Sequence, residues 1–238
     1  INNVDEDLRF GCPKGIKSDS TLFIYSGDIA VKTAGMGGEG VECNGVMFIK
    51  GGTLECNTFD DGINVGQSIE ISSGNVYCNS VDNDGIDSNG SIIISGGIVA
   101  SINQTKPNES LDAENGKLFF RGGIVFGIGS AAVTGISSSC PYYNTRYDLH
   151  SENMPKRGLL LNYGKYVCVQ KGNEILMALR NYNKEHRQFV TIIHPLFELS
   201  GFYVISEGDM PLNPEYTMFD GNFVLGGLVN KASIVENM

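Results

Sequence analysis

A repeat of 22 to 26 residues runs through the first half of this 238-residue chain and constrains its fold more than any other feature. Residues 85–97 align without a gap with residues 62–74, and residues 40–52 and 15–27 fit the same pattern. Residues 111–123 fit it with one inserted residue. The positions that mark the period are glycines, namely Gly27, Gly52, Gly74, Gly97 and Gly123. A fixed period of this size predicts that each repeat forms one coil and stacks on the next.

Each repeat has the pattern of short β-strands. Apolar residues alternate with other residues over runs of about five positions, and Asn-Gly or Gly-Gly pairs separate these runs. The apolar spacing of three and four residues that a helical solenoid needs is absent. Three strands in each repeat, stacked on those of the next repeat, therefore predict an all-β fold, the parallel β-helix.

The alignment also predicts which side chains stack inside this β-helix. The inward columns are Ile16, Val41, Ile63, Ile86 and Leu111 on the first strand; Leu22, Met47, Ile69, Ile92 and Leu118, then Ile24, Ile49, Ile71, Ile94 and Phe120 on the second; and Ile29, Leu54, Val76, Val99 and Val125 on the third. Cys56 and Cys78 share a further inward column, as a disulfide or as a pair of buried thiols. At roughly 1.5–3 kcal/mol for each large apolar side chain that is fully buried, these columns make a substantial core.

The charge of the chain is uneven and excludes one class of partner. Its net charge is −10; residues 1–128 hold 17 acidic and 8 basic residues, whereas residues 129–238 hold 10 and 9. Binding a nucleic acid needs a basic surface, so this acidic repeat region suits a cation or a neutral polymer instead. No stretch is long and apolar enough to span a membrane. Since the chain starts without a signal peptide, we interpret it as a mature or trimmed product.

The repeat pattern stops near residue 139, which predicts two units. We expect a solenoid of about five coils over residues 1–138 and a region of antiparallel strands over residues 139–238. Because an uncovered β-helix would expose strand edges and core, the second unit should cap the open end or cover an outward face. The face that we expect it to cover is an apolar stripe on the second strands, formed by Phe23, Phe48, Ile93 and Phe119.

Acidic and amide side chains recur at one corner of the predicted coils. The candidate cation ligands are Glu39, Glu42, Asp60, Asp61, Asn64, Asp82, Asp84, Asp87 and Asp112. Coils stack at the strand spacing of about 4.8 Å, and carboxylates this close repel each other unless a cation lies between them. Oxygen ligands of this kind suit Ca²⁺, which accepts six to eight oxygens in flexible geometry. The alternative is that Asp, Asn and Gly only form the turns of a solenoid corner.

Other candidate functional residues are fewer. Glu55 and Tyr77 point outward on neighbouring third strands and are candidates for contacts with a sugar. The three histidines, His150, His186 and His194, lie outside the repeats and are not grouped with acids. The sequence contains no nucleophile elbow, phosphate loop or HExxH motif, so each histidine is expected to be structural or exposed.

The motifs Asp61-Gly62-Ile63-Asn64 and Asp84-Gly85-Ile86-Asp87, with the Ile-Ile-Ile-Ser-Gly-Gly-Ile run at residues 92–98, resemble a family of secreted bacterial carbohydrate-binding β-helix proteins. Its best-known type binds cellulose and polygalacturonate. The resemblance is clearest over residues 14–128 and extends to Gly164–Asp209. It implies a right-handed parallel β-helix like that of polysaccharide lyases, with calcium at the acidic corner, in a secreted or cell-surface bacterial protein. Lys14 and Lys17 depart from the acidic motif, which implies fewer ions than in a longer relative.

Three functions compete on these residues. The resemblance favours an extracytoplasmic, non-catalytic protein that binds calcium and a plant-type or host polysaccharide, for recognition or adhesion. A calcium-dependent, pectate-type lyase would need a Lys or Arg base beside the ion. The repeats offer few such bases, and Lys14 and Lys17 lie two coils from the centre of the acidic corner. We therefore favour binding over catalysis. The third alternative is a structural surface protein in which calcium only holds the coils together.

Overall fold

The computed structural model describes residues 12–145, 158–195, 197 and 203–237. The first part of the chain contains β1 (Lys14–Ser18), β2 (Leu22–Ile24), β3 (Asp28–Lys32), β4 (Glu39–Cys43), β5 (Val46–Thr58), β6 (Ile63–Val65), β7 (Ser68–Ser80), β8 (Ile86–Ser88), β9 (Ser91–Asn103), β10 (Leu111–Ala113), β11 (Leu118–Gly129), β12 (Ile136–Ser138) and β13 (Tyr142–Asn144). The second part contains β14 (Tyr166–Lys171), β15 (Glu174–Arg180), β16 (Phe189–Ile193), β17 (Val204–Gly208), β18 (Tyr216–Met218), β19 (Phe223–Leu225) and β20 (Ser233–Asn237). Within these ranges, no helix is long and apolar enough to cross a membrane.

The predicted parallel β-helix is confirmed, coil by coil. The first strands form a five-stranded parallel sheet in the order β1-β4-β6-β8-β10. Its register pairs Ile63 with Ile86, and Ile86 with Leu111, as the repeat alignment requires. The second strands pair in the same way, with Ile69 opposite Met47 and Ile92. The inward columns form one continuous core, in which Ile63, Ile69, Ile86 and Ile92 are fully buried.

The second and third strands differ from the expectation of separate short segments. In four of the coils they merge into one long strand (β5, β7, β9 or β11) that bends in its middle. A glycine with positive φ lies at each bend, for example Gly74 at +89° and Gly97 at +80°. A Cβ atom on Gly97 would lie 2.4 Å from the carbonyl oxygen of Gly74, so neither the backbone angle nor the space admits a side chain.

The C-terminal region is an antiparallel sheet, as expected, with the strand order β18-β19-β15-β14-β17-β20. Strand β16 does not belong to this sheet. It pairs antiparallel with β11, where Val125 lies opposite Ile193, and so extends the solenoid sheet beyond its last long strand.

The face that this region covers differs from the expected one. Its apolar residues pack on the outward side of the third strands, in one buried cluster with Tyr77, Ala100 and Phe126. The stripe on the second strands is left open at its N-terminal end, where the Phe23 side chain is 46% exposed. Among the described residues, those of the C-terminal region therefore cover the third strands and not this stripe. Strand periodicity identifies outward residues, but it does not reveal which of the outward faces another unit will cover.

Candidate metal centre

The first strands align two columns of polar side chains at one corner of the coils, which together we call the acidic ladder. The first column lies at the start of each first strand or just before it and contains Lys14, Glu39, Asp61, Asp84 and Glu109. The second column lies three residues later, on the strand, and contains Lys17, Glu42, Asn64, Asp87 and Asp112. Each member lies one coil from the next because the sheet is parallel and in register. Coils 1 to 5 are numbered in this order, starting with the coil of Lys14.

Between coils 1 and 2 the protein supplies its own cations. Lys14 Nζ lies 2.7 Å from Glu39 Oε1 and 3.3 Å from Glu42 Oε2, and Lys17 Nζ lies 3.0 Å from Glu42 Oε1. Burial alone would lower the pKa of Lys14, but the hydrogen bonds and charges of Glu39 and Glu42 outweigh it and raise that pKa. Burial likewise opposes the shift of Glu42, whose pKa is lowered by the two lysines. This end of the ladder is neutralised internally.

Between coils 2 and 3 an amide takes the place of a cation. The Asn64 Nδ2 group donates hydrogen bonds to Asp61 Oδ2 at 3.2 Å and to Glu39 Oε1 at 3.4 Å. The amide therefore separates the two carboxylates by bonding to both of them.

Between coils 4 and 5 the carboxylates converge without such a group. Asp84, Asp87 and Asp112 each offer one oxygen, and these three oxygens lie within 4.8 Å of one another. We call them the Asp84–Asp87–Asp112 cluster. Among the residues that the structure describes, none of the ion pairs involves a member of this cluster. Asp87 Oδ1, which belongs to the cluster, and Glu109 Oε2, which lies beside it, are buried and have no hydrogen-bond partner among the described residues.

Burial and mutual repulsion raise the pKa of the carboxyl groups in this part of the ladder. Burial is the largest cause for all of them, and neighbouring carboxylates add to it. The pKa rises to about 8 for Asp61, about 6 for Asp84, about 7 for Asp87 and about 8 for Glu109. The pKa of Asp112 is also raised, by burial and then by the charge of Glu114. The carboxylates thus lack the counter-charge that Lys14 provides in coil 1.

The backbones of coils 4 and 5 each orient an aspartate carboxylate of the preceding coil. Asp61 Oδ1 accepts a hydrogen bond from the Asp84 backbone N–H at 2.9 Å, and Asp84 Oδ1 accepts one from the Glu109 N–H at 2.5 Å. One oxygen of each carboxylate is fixed in this way, so the rotation of the other oxygen is restricted as well.

This donor set fits a hard divalent cation. All the ligand atoms are carboxylate oxygens, two buried oxygens have no protein partner, and no nitrogen or sulfur ligand belongs to the cluster. The residues that would hold Ca²⁺ are Asp84, Asp87 and Asp112, with Glu109 adjacent.

The sequence-predicted ligands separate into groups in the structure. Asp84, Asp87 and Asp112 form the cluster, and Asp61 hydrogen-bonds to the backbone of Asp84. Lysines instead pair with Glu39 and Glu42. The Asn64 amide group donates a hydrogen bond to Glu39. Asp60 contributes its negative charge to the raised pKa of Asp61 and Asp84, and the side chain of Asp82 is exposed.

Glu109 was missed by the sequence analysis, although a signal was present. It precedes Leu111 by two residues, as Asp84 precedes Ile86. The prediction relied on an acidic residue followed by glycine, and Ser110 replaces that glycine in coil 5. A search at a fixed distance from the inward column would have found it.

The two residues predicted to contact a sugar lie differently from one another. Glu55 is half-buried, and its Oε1 accepts a hydrogen bond from Asn57 at 2.8 Å. Tyr77 is completely buried, and its ring stacks on Phe219 with centroids 5.1 Å apart. Tyr77 points out of the solenoid as predicted, but the C-terminal region covers it, so the expected exposure is wrong. His194 is buried, His186 is exposed, and His150 lies outside the described residues.

Comparison of the chain with protein-family models, curated proteins and solved structures finds no match.

Proposed function

We propose that this protein is a non-catalytic, calcium-binding β-solenoid that recognises a polysaccharide outside the cytoplasm. The observation that carries the calcium assignment is the Asp84–Asp87–Asp112 cluster, whose three oxygens lie within 4.8 Å of one another. The carbohydrate assignment rests on the resemblance of the Asp-Gly-Ile-Asn and Asp-Gly-Ile-Asp motifs to secreted carbohydrate-binding β-helix proteins.

The other end of the ladder supports a cation at this cluster. At the same two columns, coil 1 places an ammonium group between Glu39 and Glu42. The cluster has more carboxylates and no such group, so a bound cation there would offset the repulsion that Lys14 offsets in coil 1. Calcium fits better than magnesium because carboxylates on successive coils form an irregular set, and Ca²⁺ tolerates irregular oxygen geometry that Mg²⁺ does not.

The lysines of the ladder support binding over lyase chemistry. A general base works best with a pKa near the operating pH. The pKa of Lys14 and that of Lys17 are both raised, and both ammonium groups are ion-paired. These lysines belong to coil 1, whereas the cluster belongs to coils 4 and 5.

The extracytoplasmic location agrees with the type of metal site. Extracellular modules bind Ca²⁺ with dissociation constants of about 10⁻⁴–10⁻³ M. A partly solvated cluster of three Asp side chains suits an affinity in this range. Millimolar calcium outside cells would therefore fill the site.

Thermal unfolding of the chelator-treated protein tests the metal site. A ligand that binds only the folded state raises the unfolding midpoint, so we expect 2 mM Ca²⁺ to raise it and 2 mM Mg²⁺ to raise it less. The Asp112→Asn variant should lose most of the calcium-dependent rise. Asp82→Asn is the matched control, since Asp82 lies on the same corner but is exposed. An unchanged midpoint in millimolar calcium would contradict the metal site and would mean that the acidic residues only form the turns of the solenoid corner.

Retention on polysaccharide then separates the remaining alternatives. Calcium-dependent stabilisation together with retention on a glycan supports the full proposal. Stabilisation without retention on cellulose, soluble glucans or polygalacturonate would support the purely structural alternative. Release of unsaturated uronide products from polygalacturonate would support the lyase.

A further inference from the structure

Three aromatic rings form an exposed stack on the outward face of coils 1 and 2. The centroids of Phe23 and Phe48 lie 4.9 Å apart with ring planes within 10°, and those of Phe23 and Tyr25 lie 5.7 Å apart with planes within 8°. Phe23 is 46% exposed and Tyr25 is 62% exposed. We call these three residues, together with Lys50, the aromatic platform. Aromatic side chains this exposed lose hydrophobic stabilisation that burial would give them.

Lys50 places a cation over all three rings. Its Nζ lies 5.4 Å from the centroid of Phe48, 5.6 Å from that of Phe23 and 5.9 Å from that of Tyr25. Such contacts orient the ammonium group but leave its N–H donors available. None of the ion pairs in the described part of the chain involves Lys50, whose side chain is exposed.

The next coil adds an acceptor beside the rings. Glu70 occupies the position on β7 that is paired with Phe48 on β5, so its side chain continues the same outward column. The platform therefore combines apolar ring surface with a hydrogen-bond donor at Lys50 and an acceptor at Glu70. The C-terminal region packs on the third strands and leaves Phe23 and Tyr25 exposed.

We propose that the aromatic platform binds a neutral polysaccharide of pyranose sugars, which rests on the proposed function and gives it a surface and a ligand class. The apolar C–H face of a pyranose ring would pack on an aromatic ring, whose negative face attracts the partly positive hydrogens. The sugar hydroxyl groups would accept from Lys50 and donate to Glu70. A ligand with both donors and acceptors but no charge matches this pair of opposite charges.

Charge decides between a neutral polymer and the two other occupants of this surface. A polyuronate could pair with Lys50, but it would also meet Glu70 and a protein with a net charge of −10, which oppose its approach. A second copy of the chain would bring the same net charge against its own, which opposes association at low salt. A neutral polymer meets neither penalty.

Affinity electrophoresis in gels that contain hydroxyethyl cellulose, a soluble neutral glucan, tests the inference. We expect the glucan to retard the wild-type protein and polygalacturonate not to do so. Tyr25→Ala and Phe23→Ala should weaken binding about tenfold, which corresponds to about 1.4 kcal/mol, and Lys50→Ala should weaken it several-fold. Tyr216→Ala is the control, since Tyr216 is 66% exposed but belongs to β18, and it should bind as the wild type does.

The calcium-dependent unfolding midpoint keeps the two proposals separable. The platform variants should retain the wild-type calcium response, which also shows that they fold. Equal binding by Tyr25→Ala and wild type, or binding of polygalacturonate alone, would overturn the platform assignment. Loss of self-association by Tyr25→Ala in light scattering would assign the surface to a second copy instead. An unretarded wild-type protein with a normal calcium response would overturn the platform and leave the metal site standing.

Discussion

Lys14 Nζ lies 2.7 Å from Glu39 Oε1, in the same ladder whose opposite end brings Asp84, Asp87 and Asp112 together without an ammonium group. The two ends differ in which partner balances the carboxylates. In coil 1 the partner is covalently part of the chain, so this end of the ladder is stable without a metal. At the ladder positions of coils 4 and 5 the sequence offers only acids, so the stability of this end should depend on calcium.

Replacing Lys14 should convert the neutralised end of the ladder into a metal-dependent one. Lys14→Asn removes the cation from Glu39 and Glu42, whose side chains are only 10% and 16% exposed. We expect a loss of about 1–3 kcal/mol in the free energy of unfolding in metal-free buffer. Calcium should then restore more stability in the variant than in the wild type, as urea unfolding with and without calcium will measure.

Lys17→Asn is the control for this experiment. The Lys17 side chain is 51% exposed, and an ion pair this exposed contributes little to stability because solvent screens it. A calcium response of Lys14→Asn equal to that of the wild type would contradict the view that Lys14 acts as an internal cation.

The effect of Asp87→Asn on the free energy of unfolding should change sign when calcium is added. Without metal, the substitution removes one of several repelling carboxylates, one oxygen of which is buried without a partner. We therefore expect it to raise the free energy of unfolding by about 1 kcal/mol. In millimolar calcium the variant should be less stable than the wild type because it has lost a ligand. A variant with lower stability than the wild type in both buffers would contradict this assignment.

The raised pKa values fix the sign of the pH dependence in metal-free buffer. Asp61, Asp87 and Glu109 have pKa values of about 7 to 8 in the folded protein, against about 4 in an unfolded chain. Between these limits the folded state binds more protons, so the contribution of these groups to the free energy of unfolding should be complete below about pH 4 and should fall as the pH rises to about 8. Saturating calcium should flatten this slope. Urea unfolding at several pH values will measure it, and a rise in stability over the same range would contradict the prediction.

The columns of the solenoid could be predicted because every coil repeats the same local rule. Ile63 and Ile86 occupy equivalent positions of adjacent repeats, and a parallel in-register sheet must place them together. The same rule located Asp84, Asp87 and Asp112 at one corner. It did not distinguish them from Glu39 and Glu42, because that difference depends on the lysines one coil away.

The covering of Tyr77 could not be predicted by a rule of this kind. Tyr77 is outward on its strand, and so is Phe48, yet the first is fully buried and the second lies in an open stack. What separates them is the packing of Phe219 and its neighbours on the third strands. That contact joins residues more than a hundred positions apart, and no periodicity within the repeats encodes it.

The buried hydroxyl group of Tyr77 leads to a prediction about stability. Within the described part of the chain its oxygen has no hydrogen-bond partner, whereas the Tyr166 hydroxyl donates to the Gly221 carbonyl oxygen at 2.6 Å. Tyr77→Phe removes an unsatisfied polar group and should leave the free energy of unfolding unchanged or raise it by about 1 kcal/mol. Tyr166→Phe is the matched control and should lower it by about 1 kcal/mol. A loss for Tyr77→Phe as large as that for Tyr166→Phe would show that the first hydroxyl is bonded.

Gly85 lies between two members of the Asp84–Asp87–Asp112 cluster. A Cβ atom on Gly85 would lie 1.9 Å from Ser101 Oγ, inside the coil. In the next coil the glycine and the serine change places: Ser110 takes the position of Gly85, and Gly127 takes that of Ser101. A Cβ atom on Gly127 would lie 2.3 Å from Ser110 Oγ, so this pair also admits only one side chain.

Gly85→Ser should therefore destabilise the protein by about 1–3 kcal/mol through overpacking. It should also weaken the calcium response, because Asp84 and Asp87 flank the shifted backbone. Adding Ser101→Gly reproduces the Ser110 and Gly127 pair and should restore part of both losses. A double-mutant cycle measured by urea unfolding will give the interaction energy between the two sites. Additive effects would show that the two positions do not share one space, whereas partial rescue would show that coil packing sets the geometry of the Asp84–Asp87–Asp112 cluster.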